Sequence, residues 1–151
     1  RNDEYIAAMR AVWAASHAEF HGEFVDFDPL TCSPKPVNGD IPVLVGGDTP
    51  AAIARAVKLA DGYFPGEGDI DRLRALIGRV HGACETAGRD PASLEINAMF
   101  GTQMSDPKAG IEEMRAAGVG RIMIPAFFFA GPGGLDRMTA LAEQIMPLAA
   151  E

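Results

Sequence analysis

The residues best suited to chemistry in this sequence are Gly46, Gly47, Asp48 and Thr49, which lie between an apolar run and a helical pattern. Glycine lets backbone N–H groups approach a ligand closely. A helix that begins here adds unpaired N–H donors and the positive end of its dipole, and Thr49 adds a hydroxyl. Together these groups suit a phosphate monoester. A plain turn with a good helix cap explains the same residues, and the Asp48 carboxylate opposes a phosphate unless it points away.

A second glycine-rich segment competes for the same role. Residues 131–134 read Gly-Pro-Gly-Gly and follow three consecutive phenylalanines, Phe127, Phe128 and Phe129. The three rings cannot all face one core, because alternate residues of a strand point to opposite faces. We expect residues 127–134 either to hold a phosphate or to form a hydrophobic flap over the mouth of the site.

Acid–base and metal-binding residues are sparse. The three histidines lack the spacing of a metal site, so the sequence predicts no metal. The chain has neither a GxSxG motif nor a P-loop. Asp61 is expected to be a helix-to-strand turn residue rather than a catalytic acid. Asn97 and Gln103 can each place a polar group at the mouth.

A repeated alternation of strand and helix must position these residues. Apolar runs predict strands over residues 42–45, 62–65, 94–100 and 119–125. Helix starts follow the first three strands at Thr49 or Asp48, at Asp69 and at Asp106. The last helix is expected to face inward with Leu135, Met138, Leu141, Ala142 and Ile145. Before the first strand, the spacing predicts a helix over residues 3–13, a small hairpin over 19–28 and a proline-rich connection.

This alternation predicts an α/β fold with a parallel sheet and right-handed crossovers. Two architectures fit: an open doubly wound sheet, and the C-terminal half of a (β/α)₈ TIM barrel, which needs ~250 residues in full. The initial helix has no strand before it, which favours the half barrel, with about four βα units preceded by a helix and a short hairpin-like insertion. In both architectures ligands bind beyond the carboxyl ends of the strands.

Composition narrows the function classes. The chain has 151 residues and a formal net charge of −8, so nucleic acid is not an expected partner. The longest apolar runs are far short of the ~20 residues that span a bilayer, and the start shows no signal-peptide pattern. Cys32 and Cys84 are unpatterned and predict free, mostly buried thiols in the cytoplasm. Because the helical pattern begins directly at the first residues, we expect the chain to start inside a larger domain.

An ordered set of residues carries a family resemblance. The set comprises Trp13, FHGEF at 20–24, PKPV at 34–37, IPVLVGG at 41–47 and LADGY at 59–63. It resembles the luciferase-like monooxygenases, in the subgroup of oxidoreductases that depend on the deazaflavin coenzyme F420. The resemblance implies a (β/α)₈ barrel that binds F420 or FMN at its C-terminal mouth. It also implies hydride transfer to or from a small organic substrate, with an FMN-dependent monooxygenase as the alternative.

The resemblance assigns roles to a few residues. Gly46, Gly47, Asp48 and Thr49 match the turn whose backbone and hydroxyl hold the cofactor phosphate. Asp48 stands where a small neutral residue is common in the family, and Tyr63 replaces a frequent tryptophan. The residues that face the reactive ring belong to the N-terminal half of the family barrel, so no catalytic residue is assigned here.

Residues 1–151 are therefore expected to be a partial domain that lacks its N-terminal half and is inactive alone. A half barrel leaves two parallel sheet edges unpaired. We expect the missing half or a homo-oligomer to cover these edges. A non-catalytic binding or scaffold module of the same fold is the alternative function.

Overall fold

A computed structural model describes residues 1–149 of the chain. The helices are α1 (Asn2–Ala14), α2 (Pro50–Leu59), α3 (Ile70–Thr86), α4 (Pro107–Ala116) and α5 (Gly134–Ala149). The strands are β1 (Ala18–His21), β2 (Asp26–Leu30), β3 (Leu44–Gly46), β4 (Gly62–Phe64), β5 (Glu95–Met99) and β6 (Arg121–Met123). Within these residues no helix has the length and apolar character needed to cross a membrane.

Strands β3, β4, β5 and β6 form one parallel sheet in sequence order, with a helix after each strand. This order contains no reversal, whereas a doubly wound sheet reverses its strand order at a switch point. The prediction of an α/β fold with four βα units is confirmed, and the strand order is that of a partial barrel. The open doubly wound alternative does not form.

The two faces of the sheet have different roles. One face packs its alternate residues against α2, α3 and α4 in the hydrophobic core, among them Val45, Tyr63, Ile96 and Ala98. Because side chains alternate along a strand, the remaining strand residues lie on the opposite face, which we call the inner face. The inner face consists of Leu44, Gly46, Gly62, Phe64, Glu95, Asn97, Met99, Arg121 and Met123.

The predicted hairpin is confirmed, and its glycine has a specific cause. Strands β1 and β2 pair antiparallel and lie against α1. The Glu4 Oε1 atom accepts the backbone N–H groups of Phe24 and Val25, each at 2.8 Å. A Cβ atom on Gly22 would collide with the same carboxylate. The Glu4 carboxylate therefore holds the hairpin tip to the start of α1, and it fits because Gly22 has no side chain.

The predicted inward face of α5 is only partly correct. Leu141 is buried, but Leu135 and Met138 are 70% and 46% exposed. Met146 is exposed on the same side of the helix, since residues 135, 138 and 146 fall on neighbouring helical positions. The apolar face of α5 is wider than the surface that the described chain covers.

Both cysteines are free, as predicted, but only one is buried. Cys84 lies in the core on α3, and burial raises the pKa of its thiol. Cys32 is exposed in the connection after β2, so the prediction of a buried thiol is wrong for this residue. That connection contains three prolines, and most of its residues are exposed.

Alanine substitutions at two glycines should have opposite effects on stability. A Cβ atom on Gly62 would lie 2.5 Å from Leu44 Cδ2 and 2.9 Å from the Glu95 carbonyl oxygen. We expect Gly62→Ala to lower the free energy of unfolding by about 1–3 kcal/mol through overpacking. Gly78 lies within α3 with no atom close to its added Cβ, so Gly78→Ala should raise it by about 0.5–1 kcal/mol. Urea unfolding followed by circular dichroism measures both, and a neutral Gly62→Ala would contradict this description of the sheet.

Candidate functional site

The turn between β3 and α2 is built around one cap and one glycine. Thr49 is the N-cap of α2, and its hydroxyl oxygen accepts the Ala52 N–H at 3.2 Å. This decides between the two predicted capping residues, because Asp48 does not cap the helix. Gly47 has a φ of +103°, which a residue with a side chain rarely adopts.

The same turn presents backbone donors to solvent. The N–H groups of Asp48, Thr49 and Ala51 have no acceptor within residues 1–149, and Pro50 has no N–H group. All four residues are exposed. Free donors at the positive end of a helix attract an anion. The turn can therefore hold a phosphate with main-chain groups alone.

Tyr63 holds this turn from the hydrophobic core. Its ring is fully buried, and its hydroxyl donates to the Gly47 carbonyl oxygen at 2.7 Å. Burial raises the pKa of Tyr63 and the Asp48 carboxylate adds to that rise, against an opposing effect of Arg79. The hydroxyl thus stays protonated and donates. Because a trans peptide is planar, the Asp48 N–H points opposite to the Gly47 carbonyl and away from Tyr63.

The next two helix N-termini along the sheet are already neutralised. Asp69 accepts the Arg72 N–H at 3.0 Å at the start of α3. Asp106 accepts the Ala109 N–H at 3.2 Å at the start of α4. A carboxylate cap accepts one of the donors, and its charge offsets the positive end of the helix dipole. A neutral hydroxyl caps α2, so α2 keeps its attraction for an anion.

The competing segment before α5 is closed by its own backbone. Arg137 donates to the carbonyl oxygens of Ala130 and Pro132 at 2.8 and 2.9 Å. The Gly134 N–H donates to the Gly131 carbonyl oxygen at 3.2 Å. The segment thus directs carbonyl oxygens toward Arg137, which gives it the polarity of a cation site. Its geometry favours the flap over the phosphate alternative.

Two polar residues predicted at the mouth have other positions. Gln103 is buried and joins two loops, because its side chain donates to the Gly68 carbonyl and accepts the Gly101 N–H. Asn97 is fully buried in the middle of β5. Its Nδ2 atom donates to the Glu95 carbonyl at 3.2 Å, and its Oδ1 atom has no partner in the described chain. Neither side chain is free at the mouth.

Asp61 has the turn role that the sequence predicted. Its Oδ2 atom accepts from Arg10 at 2.7 Å and from the Val43 N–H at 2.8 Å. The contact ties α1 to the amino end of the sheet, opposite the edge where ligands bind. Among residues 1–149, no group of three or more His, Cys, Asp or Glu side chains is arranged to hold a metal ion.

Sequence reasoning did not identify Tyr63 as part of the site. A tyrosine in a strand buried on both faces signals such a role, because a buried hydroxyl needs a hydrogen-bond partner. The partner, Gly47, lies in the turn after the preceding strand, so a local sequence pattern does not contain the contact. The structure brings Gly46, Gly47, Asp48 and Thr49 together in one exposed turn, as predicted.

Fold and turn together define a partial (β/α) barrel in which the N-terminus of α2 can attract an anion at the carboxyl edge of the sheet. The family model described as luciferase-like monooxygenase matches residues 1–148. The chain belongs to this family. The family prediction made from the ordered residue set is thereby confirmed.

Relatives and solved structures extend this comparison. An uncharacterized protein of Mycobacterium bovis is 35% identical over 125 residues, which cover 82% of this chain and 41% of that protein. An FMNH(2)-dependent dimethylsulfone monooxygenase of Pseudomonas putida is 28% identical over 89 residues, covering 58% of this chain and 24% of the relative. An F420-dependent secondary alcohol dehydrogenase, solved with an F420–acetone adduct, matches with a TM-score of 0.61 and 16% identity, covering 80% of this chain and 54% of that chain.

These comparisons give two facts, one from the coverages and one from the cofactors named for the matches. This chain spans less than half the length of the curated relatives that it matches. The family neighbours include F420-dependent and FMNH(2)-dependent proteins, so a deazaflavin or flavin cofactor is consistent with the family. The structural likeness at 16% identity describes the fold alone.

The Tyr63 hydroxyl should stabilise the turn measurably. Tyr63→Phe removes one hydrogen bond to Gly47, and we expect a loss of about 1 kcal/mol in the free energy of unfolding. Amide hydrogen exchange at Asp48 should become faster, because the turn loses its anchor. Tyr5→Phe is the matched control, since Tyr5 is exposed and its hydroxyl only accepts from Arg1. Equal effects of the two substitutions would contradict the role given to Tyr63.

Proposed function

We propose that this chain supplies the C-terminal half of an F420-dependent oxidoreductase that transfers a hydride to or from a small organic substrate. The observation that carries the proposal is the exposed N-terminus of α2, which has a neutral cap and free N–H groups in a family with F420-dependent neighbours. The turn of Gly46, Gly47, Asp48 and Thr49 holds the cofactor phosphate. When bound, F420 supplies the hydride chemistry, while the protein binds and orients it.

At the phosphate group itself, the charge of the turn favours the diester of F420 over the monoester of FMN. The phosphate of F420 is a diester with about one negative charge, whereas a monoester such as that of FMN carries about 1.5–2 near pH 7. The turn offers main-chain donors and the Thr49 hydroxyl, and it contains no Lys or Arg. The exposed Asp48 carboxylate repels each added negative charge. The sequence pattern alone suited a monoester, and the charge balance of the turn shifts the preference to the diester.

The part of each residue in binding follows from its contacts. Gly47 provides the conformation that exposes the following N–H groups, and Tyr63 fixes that conformation from the core. The Thr49 hydroxyl accepts from Ala52 and keeps its own proton free to donate to a phosphate oxygen. We assign no catalytic residue to this chain, and we expect the protein to act in the cytoplasm. An FMN-dependent monooxygenase is the second candidate, which the dimethylsulfone monooxygenase relative favours.

Cofactor titration tests the proposal at the site itself. We expect F420 to shift the ¹⁵N–¹H resonances of Gly47, Thr49 and Ala51 and to bind more tightly than FMN. Asp48→Asn should tighten F420 binding about threefold and FMN binding about tenfold, because the relieved repulsion scales with phosphate charge. Asp28→Asn on the exposed strand β2 is the matched control and should change neither affinity.

Two results of this titration would count against the proposal. If neither cofactor shifts the three amides, the turn is a capped turn without a ligand, as a scaffold module would have. If FMN binds more tightly than F420 and Asp48→Asn changes both affinities equally, the FMN-dependent alternative replaces the F420 assignment.

We further propose that four additional parallel βα units cover the two open edges, and that a second copy supplies them in the isolated chain. Strands β3 and β6 each have one neighbour in the described sheet. Exposed apolar side chains flank both edges: Tyr5 and Met9 on α1, and Leu135, Met138 and Met146 on α5. Eight parallel strands close a barrel, and a two-fold axis along the barrel pairs β6 of each copy with β3 of the other.

Self-association tests the covering of the edges. We expect sedimentation velocity to detect dimers that dissociate on dilution. Leu135→Lys should weaken the dimer by at least about tenfold, because it removes a buried leucine from the interface. Ala75→Lys on the solvent side of α3, at the centre of the sheet, is the control and should have no effect. A monomer with a sharp melt that does not depend on concentration would show that the edges need no partner.

A further inference from the structure

The loops at the carboxyl edge of the sheet contain no cationic side chain. Residues 46–49, 65–69, 100–106 and 124–133 include no Lys, Arg or His. They do contain four carboxylates, from Asp48, Glu67, Asp69 and Asp106. A site that binds an anionic substrate needs positive charge to offset the loss of hydration. These loops supply none from their side chains.

Most of the partial positive charge of the backbone N–H groups at this edge is already compensated by side chains. Asp69 and Asp106 cap α3 and α4 with their carboxylates. Glu67 folds back to accept the N–H groups of Gly68 and Asp69 at 2.8 and 2.9 Å. Arg137 at the start of α5 is occupied by two carbonyl oxygens. The turn before α2 keeps free donors beside a neutral cap, and the proposed function assigns them to the cofactor phosphate.

The inner face next to these loops is apolar. Phe64, Met99 and Met123 are the last inner-face residues of β4, β5 and β6. Met99 and Met123 are direct partners in the ladder, so their side chains are neighbours on the same face. Met123 is 36% exposed, and the other two are half-buried. Methionine side chains are flexible and polarisable, so they adapt to apolar ligands of different shapes.

We propose that the substrate of this protein is an uncharged, mainly apolar organic molecule seated against Phe64, Met99 and Met123. The inference rests on the proposed function, because it takes the substrate to lie at the same carboxyl edge as the cofactor. It adds a rule for substrate choice. The loop carboxylates and the apolar side chains disfavour substrates that carry a carboxylate or a phosphate. Charge complementarity and the placement of the three side chains carry this assignment.

A pair of probes that differ in charge tests the rule. Benzyl alcohol and benzoate share an aromatic ring, and only benzoate is an anion. We would titrate both into the 151-residue chain labelled with ¹³C at its methionine methyl groups. Benzyl alcohol should shift Met99 and Met123, and benzoate should bind at least about fivefold more weakly, because its carboxylate loses hydration without a compensating cation. Met114 serves as the internal control and should not shift, because it is fully buried in the core with α4.

A substitution pair sharpens the test. Met123→Lys adds a cation to the wall and should reverse the preference in favour of benzoate. Ala75→Lys places the same charge on the exposed side of α3, away from the inner face, and should leave the preference unchanged. If Met123→Lys does not fold, the relative affinity of the two probes for the unsubstituted chain still tests the substrate rule.

The outcomes separate this inference from the cofactor assignment. Equal or tighter binding of benzoate, or an equal shift at the control methyl group, would overturn the substrate rule. F420 is read independently at the amides of Gly47 and Thr49. If F420 does not bind but benzyl alcohol is still preferred over benzoate, the cofactor proposal is overturned and the substrate rule is supported. If F420 binds but benzoate is preferred, the cofactor proposal is supported and the substrate rule is overturned.

Discussion

Every strand of the parallel sheet is followed by a helix, so helix N-termini with partial positive charge and unpaired N–H groups lie along one edge. Buried or uncompensated, these donors would destabilise the fold. The chain satisfies one donor at each of three N-termini, with carboxylates at Asp69 and Asp106 and with a hydroxyl at Thr49. Of these three caps, only the Thr49 hydroxyl accepts a helix N–H without adding a negative charge that cancels the positive end of the helix dipole. The choice of one neutral cap therefore places the anion-attracting position at α2.

The features that sequence could predict are those decided by neighbouring residues. Caps and helix starts depend on a few consecutive positions, so the sequence predicted Asp69 as a cap and narrowed the cap of α2 to Thr49 or Asp48. The hydrogen bond from Tyr63 to Gly47 joins strand β4 to the turn after β3, so no local pattern contains it. Leu135 has the periodicity of a core residue, yet the described chain offers it no cover. Periodicity identifies an apolar face, and only tertiary structure shows what lies against it.

The inner face joins polar and apolar regions in one surface. Glu95 and Arg121 form an ion pair at 3.2 Å near the amino ends of their strands. Asn97 follows with an unpartnered Oδ1, and Met99 and Met123 end the strands with apolar side chains. Polarity thus decreases along the strands toward the carboxyl edge. An apolar wall beside the proposed cofactor turn would help to exclude water from the region of hydride transfer and so strengthen electrostatic interactions there.

Closure of the barrel would change the strength of the site as well as its stability. In the described half, the donors of the α2 turn and the Asp48 carboxylate are exposed, and water screens both. A covering half lowers the effective dielectric constant, so the attraction of the N–H groups and the repulsion by Asp48 grow together. The attraction acts on any phosphate, but the repulsion grows with each negative charge. Discrimination between a diester and a monoester therefore increases when the edges are covered, which links the apolar face of α5 to the choice of cofactor.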